Sequence, residues 1–175
     1  MRIVIGGTVA GAVALGTFAV VNANAGSSTA AAPRTEAAGK NLTRSTHLTP
    51  AAATEAARAA LDAAKKENQR VSVAVVDRNG NTILTLRGDG AGPQAYESAV
   101  KKAYTAVSWN APTSELAQRL ADAPTLKDIP GTLFLAGGAP VTVKGAPVAA
   151  IGVAGAPSGD LDEKFARAGV AALGE

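Results

Sequence analysis

The stretch SAVKKAYTAVSWNAPTSEL, residues 98–116, holds the adjacent lysines Lys101 and Lys102, then Tyr104, the sole tryptophan Trp109, and Thr113 directly after a proline. Aromatic residues make up only 3% of the chain, so their concentration here, with Tyr96 just upstream, carries information. Ammonium groups attract acids, aromatic rings offer flat apolar surface, and a helix N-terminus presents free N–H donors to anions. Together they suit a large, flat, anionic ligand. Spacing alone supports a plainer account of the same residues. Glu97 and Lys101 stand four apart as a solvent-facing pair, Lys102 flanks an apolar stripe as a second solvated lysine, and Thr113 caps the following helix.

Other chemistry is thinly supplied. The chain has no cysteine and one histidine, His47, which removes disulfides, thiolate metal sites and a His-rich zinc centre. No G-x-S-x-G elbow accompanies His47, and no Walker or G-x-G-x-x-G cradle is present. Hydrolase, kinase and dehydrogenase chemistry therefore find no kit. Asp160, Asp162 and Glu163 form the one tight acidic group. Carboxylates of this kind bind hard cations such as ferric iron, but acids in the first turn of a helix also complement its dipole, and the sequence favours that structural role.

The elements that must position these residues follow from periodicity. Thr49-Pro50 opens a helix with Ala53, Ala57, Leu61 and Ala64 on one face. Val71, Val73 and Val75 mark a strand, Asn79-Gly80 a hairpin turn, and residues 82–86 the returning strand. Residues 94–109 read as a helix with Tyr96, Val100, Ala103 and Val107 on its stripe. Pro112 ends it, and Thr113 caps a shorter helix over residues 114–121. Three short strands are expected at 133–136, 141–143 and 148–154, with Gly137-Gly138 and Lys144-Gly145 as turns. Ser158 then caps a last helix that buries Leu161, Phe165, Ala168 and Ala172. The order predicts an α+β fold, a mainly antiparallel sheet of five strands packed with helices.

Residues 1–25 combine a basic start, an uncharged run and Ala23-Asn24-Ala25, the pattern of a cleaved signal peptide and of export. Residues 26–46, rich in Ala, Ser and Thr, read as a flexible linker, and residues 47–175 as the globular domain. The formal net charge is +3 with no basic block, so nucleic acid is not an expected partner. Large side chains are scarce and disulfides impossible, which points to stability shared between subunits.

At VSVAVVDRNGN, KKAYTAVSWNAPTSEL, PGTLFLAGGAPV and VAAIGVAGAPSGDLDEKFARAG the domain resembles the GlcG/HbpS-type haem-binding family, four blocks in the same order. With its export signal and linker it looks most like the secreted, redox-sensing actinobacterial members. The resemblance implies a PAS/profilin-like fold, binding of haem and of iron ions, haem-degrading activity, an octamer, and a membrane sensor histidine kinase as partner. Its K-A-Y-T-A and P-T-S pattern falls on Lys101, Lys102, Tyr104 and Thr113. The strong haem ligands are His, Cys, Met and Tyr. Here His47, Tyr96 and Tyr104 are available, with the weaker hydroxyl of Thr113. The pattern makes Thr113 the candidate axial ligand, and His47 is the alternative. A PAS-like module for another small metabolite, without haem chemistry, is the competing function.

Overall fold

The computed structural model describes residues 35–174. The expected signal peptide and the first part of the expected linker lie outside them. Of the linker, residues 35–42 hold one short 3-10 turn, Gly39–Asn41, and a compact unit begins at Thr43.

That unit is a four-stranded antiparallel sheet with helices on both faces. Its elements are α1 (Pro50–Lys66), β1 (Ser72–Asp77), β2 (Thr82–Arg87), α2 (Pro93–Trp109), α3 (Thr113–Gln118), β3 (Gly138–Val143), β4 (Ala146–Ala154) and α4 (Gly159–Ala171). The sheet order is β2-β1-β4-β3. Local chemistry sets the ends. Thr49 Oγ1 accepts from Ala52 N at 3.2 Å with Pro50 in the first turn of α1, and Ser158 Oγ accepts from Leu161 N at 3.2 Å to open α4. Asp77 Oδ1 accepts from Asn79 N and Asn81 N, which fixes the β1–β2 turn.

Alternation along β1 and β4 divides the core. Val73, Val75, Ile151 and Val153 face α1 and α4, whereas Ala74, Val76 and Ala150 pack beneath α2. Both central strands are thus buried on two sides and read as continuous apolar runs rather than a clean alternation. Small residues set the layer spacing. α1 buries Ala53, Ala56, Ala57, Ala60 and Ala64. α2 crosses directly over Gly152, where a Cβ would sit 2.6 Å from Ala103 N and closer still to Ala99 O.

The fifth expected strand does not form. Residues 133–136 are irregular. Leu133 N donates to Thr105 Oγ1 on α2 at 2.8 Å, Phe134 turns inward, Leu135 points to solvent, and pairing with β4 starts only where Val153 N donates to Gly137 O. Phe134 is apolar because it packs against Ala111 and Leu116 beside α2 and α3, not because the run joins the sheet. Gly137 and Gly138 therefore lead into β3 instead of turning between two strands.

Replacing Gly152 by Ala is expected to lower stability by about 1–3 kcal/mol, because the obstructing atoms are helix backbone and cannot swing aside. Urea denaturation of the two proteins checks this, and an unchanged midpoint would contradict the close packing of α2.

Candidate functional site

Where α2, α3, β3 and α4 meet, a polar network runs through the interior. Lys102 Nζ donates to Asp162 Oδ2 at 2.8 Å and to Val153 O at 3.1 Å, and the two side chains are only 6% and 4% exposed. Asp162 Oδ1 accepts from Ala156 N. One residue on, Glu163 accepts from Ser114 N at 2.9 Å, Ser114 Oγ at 2.7 Å, Gly137 N at 3.4 Å and Arg167 Nη2 at 2.8 Å. Thr113 Oγ1, fully buried, accepts from Gly138 N at 2.7 Å. Burial pushes the Asp162 carboxyl above the usual carboxylate range despite Lys102 and the N–H groups of Ala156 and Gly155. Burial acts on Glu163 in the same sense, but the hydrogen bonds from Arg167, Ser114 and Gly137 outweigh it and hold that carboxyl below its ordinary value.

Outside this network lies a groove between β3 and α4. Its central cavity, about 340 Å³, is lined by Pro112, Ala139, Pro140, Arg167, Val170 and Ala171. Arg167 also borders a second cavity, of about 300 Å³, with the polar and charged residues Ser114, Asp160, Glu163 and Lys164. Pro140 and Val170 are shared with a third, of about 290 Å³, that reaches Leu48, Val143 and Leu173. The groove is therefore apolar along most of its length, with a half-exposed guanidinium at one end. Such a surface suits a ligand with an apolar body and an acid group.

A family model described as haem degrading protein HbpS-like matches residues 48–171. The chain belongs to this family. Among solved structures, a double mutant of Streptomyces reticuli HbpS is 76% identical, with a TM-score of 0.81 over 83% of this chain and 99% of that one. The PduOC:heme complex is 26% identical, with a TM-score of 0.66 over 73% of this chain and 95% of the other. An uncharacterized 15.0 kDa protein from the dhaT–dhaS intergenic region of Citrobacter freundii is 33% identical over 113 residues, 62% of this chain and 80% of the relative.

Against this HbpS-like frame the sequence-derived residues separate. Lys101 is on the outside of α2, paired with Glu97 at 2.7 Å as its spacing requires. Tyr104 is half-buried, its ring under the Gly80 turn and beside Gly131. Lys102 does not share their surface. It faces the sheet, because α2 turns the Lys102–Ala106 side of its cylinder inward, and the expectation that it is solvated is corrected. Thr113 does not cap a helix either. Pro112 holds the cap position, Thr113 is the first residue of α3, and its oxygen is engaged across space with β3. Tyr96 is 50% exposed and leaves the expected buried stripe. His47 is at the surface by the β1–β2 turn, its Nε2 2.7 Å from Ser45 Oγ and its Nδ1 4.0 Å from Asp77 Oδ2. Tyr104 and His47 border the same β1–β2 turn, at Gly80 and at Asp77 respectively.

Of the acidic group, Asp162 and Glu163 are buried and bind other elements, whereas Asp160 is exposed. The dipole argument gave their structural role a different reason from the one seen. Arg167, Pro140 and Val170 were not found from the sequence. The available signal is the series Asp160, Glu163, Arg167 and Val170, which repeats every three to four residues along α4.

Lys102→Ala leaves Asp162 buried without its cation and is expected to cost about 3–5 kcal/mol. Lys101→Ala, at an exposed pair, is expected to cost less than about 1 kcal/mol. Denaturation midpoints compare the two, and equal losses would mean that Lys102 is not buried in solution. Glu163 adds a pH test. Its folded pKa lies below the ordinary 4.5, so its contribution is complete above that pH and is lost as pH falls through the folded value. The stability gap between wild type and Glu163→Gln should therefore narrow on acidification below pH 4.5. Asp77 and Asp162 are present in both proteins and do not enter the difference. Thermal melts across that range read it, and a gap that stays constant would deny the depressed pKa.

Proposed function

We propose that this chain is a secreted haem-binding protein. It reports haem or oxidative stress to the extracellular part of a membrane sensor histidine kinase, and it degrades haem when peroxide is present. The observation that carries the reading is that the haem-degrading family match spans almost the whole compact unit, including every residue that lines the central cavity of the groove. An octamer, as the family resemblance implies, and a signal peptide at 1–25 belong to the same reading.

The groove fits haem in kind. Pro112, Ala139, Pro140, Val170 and Ala171 offer an apolar surface for the ring, and Arg167 offers bidentate donors to a propionate. Haem, when bound, supplies an iron centre able to react with peroxide. The chain's part is to hold the ring on one side and to fix its acid group. Thr113 follows Pro112, but its side chain is fully buried with Oγ1 accepting from Gly138 N, so its hydroxyl would hold the haem iron only with local opening around it. Exposed His47 needs no such opening. Binding of iron ions, which the family resemblance implies, belongs to the same reading, although among the described residues no three His, Cys, Asp or Glu side chains converge on one point. Lys101 and Tyr104, on the outer surface of α2, form a second candidate face.

A Soret titration, followed by peroxide, tests the reading. Wild type should develop a Soret band that bleaches with peroxide, and Arg167→Ala should weaken affinity by roughly tenfold or more, the loss of a charge-assisted contact. Full affinity in Arg167→Ala with weakened binding in a Lys101→Ala, Tyr104→Phe protein would move the site to α2. Absence of any Soret band would favour the small-metabolite module. A Thr113→Val protein with an unchanged spectrum would exclude Thr113 as the axial ligand and turn attention to His47.

A further inference from the structure

Between α2 and β3 the chain makes an excursion over residues 114–137, through most of α3 and the 3-10 turns Arg119–Ala121 and Pro124–Asp128. Its own small core, Ala111, Leu116 and Phe134 with Trp109, Leu120 and Leu126, is separate from the main one. Trp109 and Phe134 meet edge to face at 5.2 Å. What closes the base of this excursion is the Glu163 carboxylate. It accepts from Ser114, where the excursion leaves, and from Gly137, where it returns. Among the described residues the one cation paired with this carboxylate is Arg167, whose side chain lines both the central cavity and its neighbour.

We propose that Glu163 is the positioning residue of the groove, aiming the Arg167 guanidinium and coupling capture of an anionic group there to the excursion over residues 114–137. The inference rests on the groove reading given above and adds a regulatory consequence to it. Glu163 has 6% of its side chain exposed, so a carboxylate there depends on every donor it has. The guanidinium is 56% exposed, uses one nitrogen on Glu163, and has further donors free for a ligand carboxylate. A second carboxylate on that guanidinium draws positive charge away from Glu163. The bonds to Ser114 and Gly137 then share a less well compensated anion, and the base of the excursion loosens.

Hydrogen exchange read at the Ser114 and Gly137 amides tests this in the full chain, with haem as the probe and the Soret band reporting occupancy. In wild type, haem should speed exchange at both amides several-fold. In Glu163→Gln, haem affinity should fall several-fold and the two amides should exchange alike with and without haem, while Glu163→Asp should restore part of each effect. Unchanged or slower exchange in haem-loaded wild type would overturn the proposal, as would a Glu163→Gln protein with full affinity and the wild-type response. A ligand-free arm separates failure of the coupling from failure of the haem reading. Arg167→Ala without haem should by itself speed exchange at Ser114 and Gly137 several-fold. If those amides are unaffected, the coupling is wrong whether or not haem binds. If they respond but no Soret band forms, the clamp stands and its ligand is a different anion.

Discussion

The buried pair of Lys102 and Asp162 is the contact on which the arrangement of this domain depends. It joins the middle of α2 to the start of α4 across the end of β4, and the same ammonium also holds Val153 O. An ion pair with side chains almost wholly out of water gains little by existing, because desolvation cancels much of the attraction. It is costly to break, however, since either partner left alone is an uncompensated charge. Such a pair therefore fixes geometry more than it adds stability. With α2 and α4 locked to each other, the next residue, Glu163, is delivered to Ser114 and Gly137, and Arg167 one turn later is delivered to the groove.

The pair can form only because the layers approach closely. The alanines of α1, Gly152 beneath α2, and Gly137, where a Cβ would lie 2.7 Å from Lys102 Nζ, let backbones lie nearly against one another. A core of Ala, Gly and Val buries less area per residue than one of Leu and Phe. In exchange, polar side chains of modest length span from one layer to the next. The abundance of small residues and the internal polar network are two views of the same packing solution.

In an HbpS-like chain this geometry separates two jobs that the sequence presents together. Lys102 and Thr113 hold helices and strands in register from inside, whereas Arg167 and the half-exposed side chains of α2 face outward, where a ligand can meet them. The groove is apolar along most of its length and cationic at one end. Its cation is shared with a carboxylate that also accepts from both ends of the neighbouring excursion.

The sequence by itself determined the four helices, the two hairpins and the Thr49 and Ser158 caps, because each rests on contacts a few residues apart: Asn79-Gly80 favours its turn locally, and Glu97 meets Lys101 one helical turn on. The pairing of β1 with β4, which joins the hairpins into one sheet, is a long-range contact. The sequence also singled out Lys102, Thr113, Asp162 and Glu163 as residues of consequence. Only the tertiary structure decided what they do. Whether a lysine at the border of an apolar stripe faces water or the sheet depends on a rotation of α2 that is fixed by Gly152 and by Asp162, 60 residues away. Whether Thr113 caps its own helix or holds β3 depends on where Gly138 arrives. The run over 133–136 looks like a strand because apolar periodicity cannot tell pairing with a strand from packing on a helix. The groove lies between β3 and α4, which are not neighbours in the chain, and no local pattern encodes the space between them.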